Sequence, residues 1–182
     1  MRTWRAQTTV PAPPGEVLEV LTHPDALARW SPVGFEIEEL NSTRLRSGTR
    51  ARVAGCLAGR RVKFDVDVMQ ADPERLLLHA RGPVGMDVEY TIAPAPHGSA
   101  VDAAITVRGQ RGVAKAMIAR ALHLFLAVGG LEVALARLVR EVEHRNRRPR
   151  ERRRQRPPPG DRPAAATDGR RGCRRSPSRR SS

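Results

Sequence analysis

The middle of the chain alternates apolar and polar residues with a period of two. In VKFDVDVMQ, residues 62–70, apolar side chains alternate with charged ones. This pattern is typical of a strand that has one face on the core and the other in water. The period recurs in MDVEYTI (86–92) and VDAAITVRG (101–109), and turn-forming residues separate these runs. Residues 35–109 are therefore predicted to form six consecutive antiparallel strands, or seven with residues 2–10.

Two short helices are predicted between the first two strands. The prolines of TTVPAPP end the first strand, because proline donates no ladder hydrogen bond. Apolar residues at helical spacing follow in Val17–Leu21, and this helix stops at His23, since the residue before a proline is pushed out of the α region. Pro24 and Asp25 open a second helix that ends at Trp30. We expect Trp30 and the neighbouring leucines to seat both helices over one end of the sheet.

A helical period replaces the period of two after Gly112. One stripe recurs at steps of four and three through Met117, Ala121, Leu124, Val128, Leu131, Leu135, Leu138 and Val142. The first half is apolar on its other sides too, at Ile118, Leu122, Leu126 and Val133. Gly129-Gly130 predicts a bend or a close approach, since glycine inside a helix costs about 1 kcal/mol relative to alanine. The additional apolar side indicates either a gate or an interaction surface for a membrane, a carrier protein or a second subunit. The alternative is that loops at the open edge of the sheet cover it.

The composition changes sharply near residue 145. The chain has a net charge of +14, and residues 145–182 carry 15 Arg against three acidic residues, which is 15 − 3 = +12. This tail has no Val, Ile, Leu, Met, Phe, Tyr or Trp, so burial cannot offset its ordering entropy. We predict one domain over residues 1–144 and a disordered basic tail over 145–182. The run Arg145–Arg156 is either a weak, nonspecific contact for nucleic acid or anionic lipid, or a solvated segment with no dedicated partner.

The cysteines and the N-terminus bear on possible metal or disulfide sites and on the cellular location. Cys56 and Cys173 lie far apart without CxxC spacing, so no disulfide framework, metal site or cofactor is implied. The N-terminus lacks the apolar core of a secretory signal, and no stretch reaches the roughly 18 apolar residues of a membrane span. A cytoplasmic location is the default expectation.

The order of strand, two short helices, six strands and long helix is that of the helix-grip fold. VPAPPGEVLEVLTHPDALARW, residues 10–30, resembles the opening of the SRPBCC or START-like superfamily, in the branch of polyketide cyclases/dehydrases and lipid transport proteins. GTRARV at 48–53 and ALARLVREVE at 134–143 resemble its third element and closing helix. The likeness covers about residues 3–144. It implies an α+β fold in which a seven-stranded antiparallel sheet wraps around a long C-terminal helix.

Inward strand positions are mostly Val and Ala, and aromatic residues make up 3% of the chain. Slender side chains on a concave sheet leave space that one helix does not fill, unless the sheet flattens and packs tightly. The resemblance also implies a tunnel for an apolar ligand. The expected ligand-binding residues are Trp30, Phe64, Val66, Val88, Tyr90, Ile105, Met117, Ala121, Leu124 and Val128.

The leading functional hypothesis is binding, and by extension transport, of a hydrophobic small molecule that is lipid-like or polycyclic. It rests on the apolar inner face and the lack of convergent titratable groups. The alternative is an aromatase/cyclase acting on a poly-β-ketone chain, with Tyr90, His79 and Arg108 as the catalytic candidates. The triple leucine of RLLLHAR leaves the face of His79 ambiguous. A third hypothesis makes the tail a tether to nucleic acid or an anionic membrane. The sequence leaves open the ligand, the oligomeric state and whether a reaction is catalysed.

Overall fold

The computed structural model describes residues 2–57, 59–108 and 113–154. The elements follow in chain order as β1 (Arg2–Val10), α1 (Pro14–Thr22), α2 (Pro24–Trp30), β2 (Phe35–Leu40), β3 (Arg50–Leu57), β4 (Arg60–Ala71), β5 (Arg75–Arg81), β6 (Gly85–Ala95), β7 (Gly98–Arg108), α3 (Val113–Ala127) and α4 (Gly130–Arg154).

The strands form one antiparallel sheet in the order β1-β7-β6-β5-β4-β3-β2. β2 to β7 are neighbours in sequence and in space, and β1 pairs with β7. The register aligns apolar positions on one face: Val66 lies opposite Ala80, and Val88 lies opposite Ile105. The prediction of a seven-stranded antiparallel sheet is confirmed.

The two short helices lie between β1 and β2, as predicted, and each begins at a proline. Proline suits a first helical turn because its φ is already helical and no N–H is needed there. α1 ends at Thr22, and the extended backbone of His23 separates it from α2. Val17, Leu21 and Trp30 are buried, so these helices pack onto the body of the domain rather than projecting from it.

The predicted long C-terminal helix is two helices bent by 61°. The bend predicted at the glycine pair is confirmed. Gly129 has a φ of 91°, a left-handed conformation that favours glycine. Gly130 has a different reason to be glycine, since a Cβ there would overlap the ring of Phe125. α4 packs against β1, α1 and α2, whereas α3 contacts β3 and α4.

The bend divides the predicted apolar stripe into a buried half on α4 and an exposed half on α3. In α4 the stripe is buried, at Leu131, Leu135, Leu138 and Val142. In α3 the prediction is wrong, because Met117, Leu124 and Val128 are 62%, 65% and 73% exposed. The buried residues of α3 are Ile118, Leu122 and Leu126. The left-handed residue between the helices interrupts the helical phase, so a stripe that is continuous in sequence is not continuous in space.

The last helix extends beyond residue 144, where the predicted domain ends. α4 continues through Arg154, so the first ten residues of the segment predicted to be disordered are helical. Residues 155–182, which include the end of the Arg145–Arg156 run, lie outside the described residues.

Within the described ranges, no single helix is both long and apolar enough to cross a membrane. Residues 116–127 of α3 and 130–147 of α4 reach the length and apolar composition of a membrane span only when the two bent segments are counted together.

Candidate functional site

A cavity of about 280 Å³ lies between the concave face of the sheet and the helices. Its floor includes inward residues of β3 to β7, its roof is formed by α3 and α4, and α2 closes one end with Leu27 and Trp30. The wall is almost entirely apolar. Slender residues such as Ala51 and Ala80 line the floor, so the sheet does not fill the space beneath the helices.

Six of the expected ligand-binding residues line this cavity: Trp30, Phe64, Val66, Val88, Tyr90 and Ile105. All but Trp30 lie on strands, where an alternation of period two identifies the inward face.

The other four expected residues do not line the cavity. Met117 and Leu124 lie on the exposed side of α3, Val128 is exposed directly after the helix, and Ala121 is half-buried and outside the wall. This part of the prediction is wrong because it extended the phase of α4 backwards through the glycine pair.

The roof residues that sequence reasoning missed are Leu122, Phe125 and Leu126 of α3. The signal was present, since Ile118, Leu122 and Leu126 recur at steps of four. Nothing in their spacing distinguishes them from the outward stripe. Only the bend at Gly129 determines which side of α3 faces the sheet.

Trp30 and Tyr90 meet at the α2 end of the cavity. Their ring centroids are 6.3 Å apart and their planes are nearly perpendicular, at 88°. The Nε1 of Trp30 is buried and has no hydrogen-bond partner among the described residues. The hydroxyl of Tyr90 is protonated near neutral pH, as in any ordinary tyrosine, and burial raises its pKa further, so it is able to donate a hydrogen bond.

His79 and Arg108, the other two catalytic candidates, do not face the cavity. Leu78 and Ala80 line it, so His79 between them points to the opposite face of β5. His79 Nδ1 lies 2.6 Å from one oxygen of Asp87, and an Arg108 Nη2 donates to the other at 2.5 Å. Of the three catalytic candidates, only Tyr90 therefore lies on the cavity side of the sheet.

The carboxylate of Asp87 holds this outer cluster together. Burial acts to raise the pKa of Asp87, but hydrogen bonds from His79 and Arg108 outweigh it, and the pKa lies below its usual value. The cluster is an ion-paired network on the outer face of the sheet. It stabilises β5, β6 and β7 against one another and contributes no group to the cavity.

An ion pair fastens α2 to α4 beside the cavity. Arg29 donates from Nε and Nη2 to the same oxygen of Glu141, at 2.9 and 2.6 Å. This hydrogen bonding is the main cause that raises the pKa of Arg29. An Nη1 of Arg137 donates to the carbonyl of Ser31 at 3.1 Å, just after α2. Both contacts hold the helix that carries Trp30 in place at the cavity end.

Solved structures similar to this chain share its fold. Protein CV1439 from Chromobacterium violaceum is 23% identical, with a TM-score of 0.59, and the match covers 78% of this chain and 96% of that one. An AHSA1-like protein from Aeromonas hydrophila is 16% identical, with a TM-score of 0.53, over 80% and 94% of the two chains. At these identities the likeness shows the helix-grip fold alone.

A third similar structure is DynU16, a protein in the dynemicin biosynthetic locus. It is 23% identical, with a TM-score of 0.53, and the match covers 78% of this chain but only 47% of that one. No curated protein matches the chain.

The family model described as "Polyketide cyclase / dehydrase and lipid transport" matches residues 1–143. The match spans the sheet, both short helices, α3 and most of α4, and it confirms the resemblance seen in residues 10–30, 48–53 and 134–143. The chain therefore belongs to the polyketide cyclase/dehydrase and lipid transport family of the SRPBCC superfamily.

Proposed function

We propose that the protein binds a hydrophobic small molecule in the cavity between the sheet and α3–α4. The observation that carries the proposal is the almost wholly apolar wall of a 280 Å³ space. Apolar cavities of about 150 Å³ accept benzene. A space about twice that size suits a lipid-like chain of moderate length or a molecule of two or three fused rings.

Tyr90 is the anchor for a polar atom of this ligand. Its side chain lies in the wall, and its protonated hydroxyl is a hydrogen-bond donor whose pKa burial raises further. A hydroxyl donor in an apolar wall favours a ligand that has one oxygen function at the end near Trp30, because an unpartnered polar group in such a place is costly. We therefore propose an amphiphilic ligand, such as a phenol, ketone or fatty acid, rather than a pure hydrocarbon.

Binding is favoured over catalysis by the inventory of the wall. Its titratable side chains within the described residues are Tyr90 and Cys56, and Cys56 is exposed. Proton transfer during ring closure needs a positioned acid or base with a pKa near the working pH. Burial raises the pKa of Tyr90, so the tyrosinate that could abstract a proton is not populated near neutral pH, and the tyrosine suits ligand anchoring better than proton abstraction.

A polyketide cyclase activity is the second candidate, and the family description favours it. Here the cavity would fold a poly-β-ketone chain and Tyr90 would donate a proton or hydrogen bond to a carbonyl oxygen. If the protein turns over such a substrate, Tyr90→Phe should slow it about tenfold or more. Turnover unchanged by Tyr90→Phe would remove this role of the residue.

The binding proposal is tested by titrating the full chain with N-phenyl-1-naphthylamine, a dye whose fluorescence rises in apolar surroundings. Val88→Phe adds a ring to the cavity floor and should weaken dye binding at least tenfold. Met69→Phe makes a comparable change at a side chain that is 61% exposed, and it should leave binding unchanged. Mass spectrometry of the purified protein would identify any retained ligand. An absence of saturable dye binding, or binding unaffected by Val88→Phe, would contradict the proposal.

A further inference from the structure

One side of α3 presents large apolar residues to solvent. Met117 and Leu124 on α3, and Val128 in the turn directly after it, are 62%, 65% and 73% exposed. Their spacing of seven and four places them on one side, because the N–H of Val128 still donates to the carbonyl of Leu124 as in a helix. Arg120 is exposed on the same side. We call these four residues the outer face of α3. Single exposed apolar residues are common, but a continuous patch of them marks an interaction surface.

The opposite side of α3 is already occupied. Leu122, Phe125 and Leu126 line the cavity, and Ile118 is buried. α3 is therefore apolar on both sides, whereas a helix on the surface of a globular protein has one apolar side. The inner side is explained by the cavity, whereas the outer side has no apolar cover among the described residues.

The C-terminal segment is chemically unsuited to cover the outer face. Residues 155–182 contain no Val, Ile, Leu, Met, Phe, Tyr or Trp. Its arginines and prolines would not replace the water around Met117, Leu124 and Val128 with apolar contact. This segment is therefore not the apolar occupant of the outer face.

Charge favours an anionic occupant over a second copy. Over α3 and the turn that follows it, residues 113–129, the sequence holds two basic residues, Lys115 and Arg120, and no acidic residue. The whole chain has a net charge of +14, so two copies repel each other while an anionic surface attracts each of them. Basic residues next to exposed apolar side chains are the combination that binds the interface of an anionic bilayer.

We propose that the outer face of α3 docks on the surface of an anionic lipid bilayer. Met117, Leu124 and Val128 enter the boundary between headgroups and acyl chains, and Arg120 lies at the level of the phosphates. The docked helix does not cross the membrane. This inference goes beyond the binding of a ligand in the cavity and does not depend on it.

Docking in this orientation places α3 as the single layer between the bilayer and the cavity. The side chains on its two sides, such as Leu124 and Phe125, are neighbours in sequence. Gly129 joins α3 to α4 in a left-handed conformation. α3 packs mainly against β3 and α4, whereas α4 packs against β1, α1 and α2 as well as α3. α3 is therefore attached to the domain less broadly than α4.

The test is co-sedimentation of the full chain with vesicles of phosphatidylcholine containing about 30% phosphatidylglycerol, and with pure phosphatidylcholine vesicles. The wild type should bind the anionic vesicles more tightly and should keep part of its binding in about 0.5 M NaCl, where surface charges are screened. Met117→Ser/Leu124→Ser should weaken that salt-resistant binding at least tenfold. Met69→Ser, at an equally exposed methionine on the sheet, is the matched control and should bind like the wild type.

Val128→Ser, at the most exposed of the three positions, gives an independent answer and should also weaken binding. All variants carry the basic C-terminal segment, so equal binding by the wild type and Met117→Ser/Leu124→Ser would assign binding to the arginines and overturn the proposal. No binding by the wild type would also overturn it. Light scattering that shows a wild-type dimer dissociated by the double substitution would identify a second copy as the occupant instead.

Discussion

The indole of Trp30 meets the ring of Tyr90 edge to face, with centroids 6.3 Å apart. The pair joins α2 to β6 at the end of the cavity, and both rings are buried. Edge-to-face aromatic pairs contribute about 0.5–1.5 kcal/mol beyond the burial of their area. Trp30 therefore does two things, since it closes the cavity and holds the ring of the residue proposed to anchor the ligand.

Trp30→Ala should lower the free energy of unfolding by about 3–5 kcal/mol, because it empties a large buried volume and removes the aromatic pair. Urea denaturation followed by circular dichroism measures the change. Tyr90→Phe is the control, since it keeps the ring and its packing and should cost no more than about 1 kcal/mol. Equal losses in both variants would contradict the anchoring role of Trp30 in the fold.

Tyr90→Phe should instead change the selectivity for ligands that carry an oxygen. With 2-naphthol as the probe, loss of the hydrogen bond should weaken binding about tenfold, which is about 1.4 kcal/mol. Naphthalene has the same rings without the oxygen and should bind both proteins equally. Displacement of N-phenyl-1-naphthylamine measures both affinities. A parallel change for the two probes would show that the hydroxyl does not contact the ligand.

Glu141→Gln should loosen α2 without unfolding the domain. The pair with Arg29 is half exposed on the arginine side, so its loss should cost at most about 1 kcal/mol of stability. The dye should dissociate several times faster, because Trp30 at the cavity end is held less firmly. Stopped-flow fluorescence measures that rate. Glu19→Gln breaks the exposed pair with Arg44, away from the contact between α2 and α4, and should leave the rate unchanged.

Gly130→Ala should destabilise the junction of α3 and α4. The added Cβ would overlap the ring of Phe125, and overpacking typically costs about 1–3 kcal/mol. Gly15→Ala is the matched control, because that helical glycine has open space around its Cβ position and alanine is favoured in helices by up to about 1 kcal/mol. Thermal denaturation compares the two. If Gly130→Ala raised the thermal stability, the ring of Phe125 would have to move aside without cost, contrary to this expectation.

The outer cluster around Asp87 should make stability depend on pH in acid. The pKa of Asp87 is lower in the folded protein, so the unfolded chain binds more protons as the pH falls. Its contribution is complete above the ordinary aspartate pKa of about 3.9 and is lost as the pH falls from there towards the folded pKa.

Asp87→Asn removes this contribution. The fall in unfolding free energy between about pH 5 and pH 2 should be less steep in the variant than in the wild type. Urea titrations at several pH values measure the slope. Asp102→Asn removes a carboxylate from the neighbouring strand without touching the cluster and serves as the control. Parallel slopes for the wild type and Asp87→Asn would contradict the assignment.

Much of the fold follows from local patterns. The period-two alternation identified the strands and their inward residues, including Phe64, Val66 and Val88. Prolines at 14 and 24 marked the starts of the short helices, since proline acts on its immediate neighbours whatever surrounds it. The glycine pair marked the bend. Each of these signals operates within a few residues, which is why it can be read without coordinates.

The face of His79 was not predictable in the same way. RLLLHAR has apolar residues on both sides of the strand, so alternation does not choose between two registers. Pairing with Asp67 on β4 and Asp87 on β6 places His79 among charged residues on the outer face. Contacts between strands made this choice.

The amino-acid pattern alone specifies an antiparallel sheet of slender inward residues, two proline-started helices and an apolar helical segment broken by glycines. Tertiary structure alone decided which side of α3 faces the sheet, and hence that Leu122 lines the cavity while Leu124 meets solvent. The physical reason is that α3 is apolar on both sides, so burial favours either orientation nearly equally. The bend at Gly129 and the space above the sheet then select one of them.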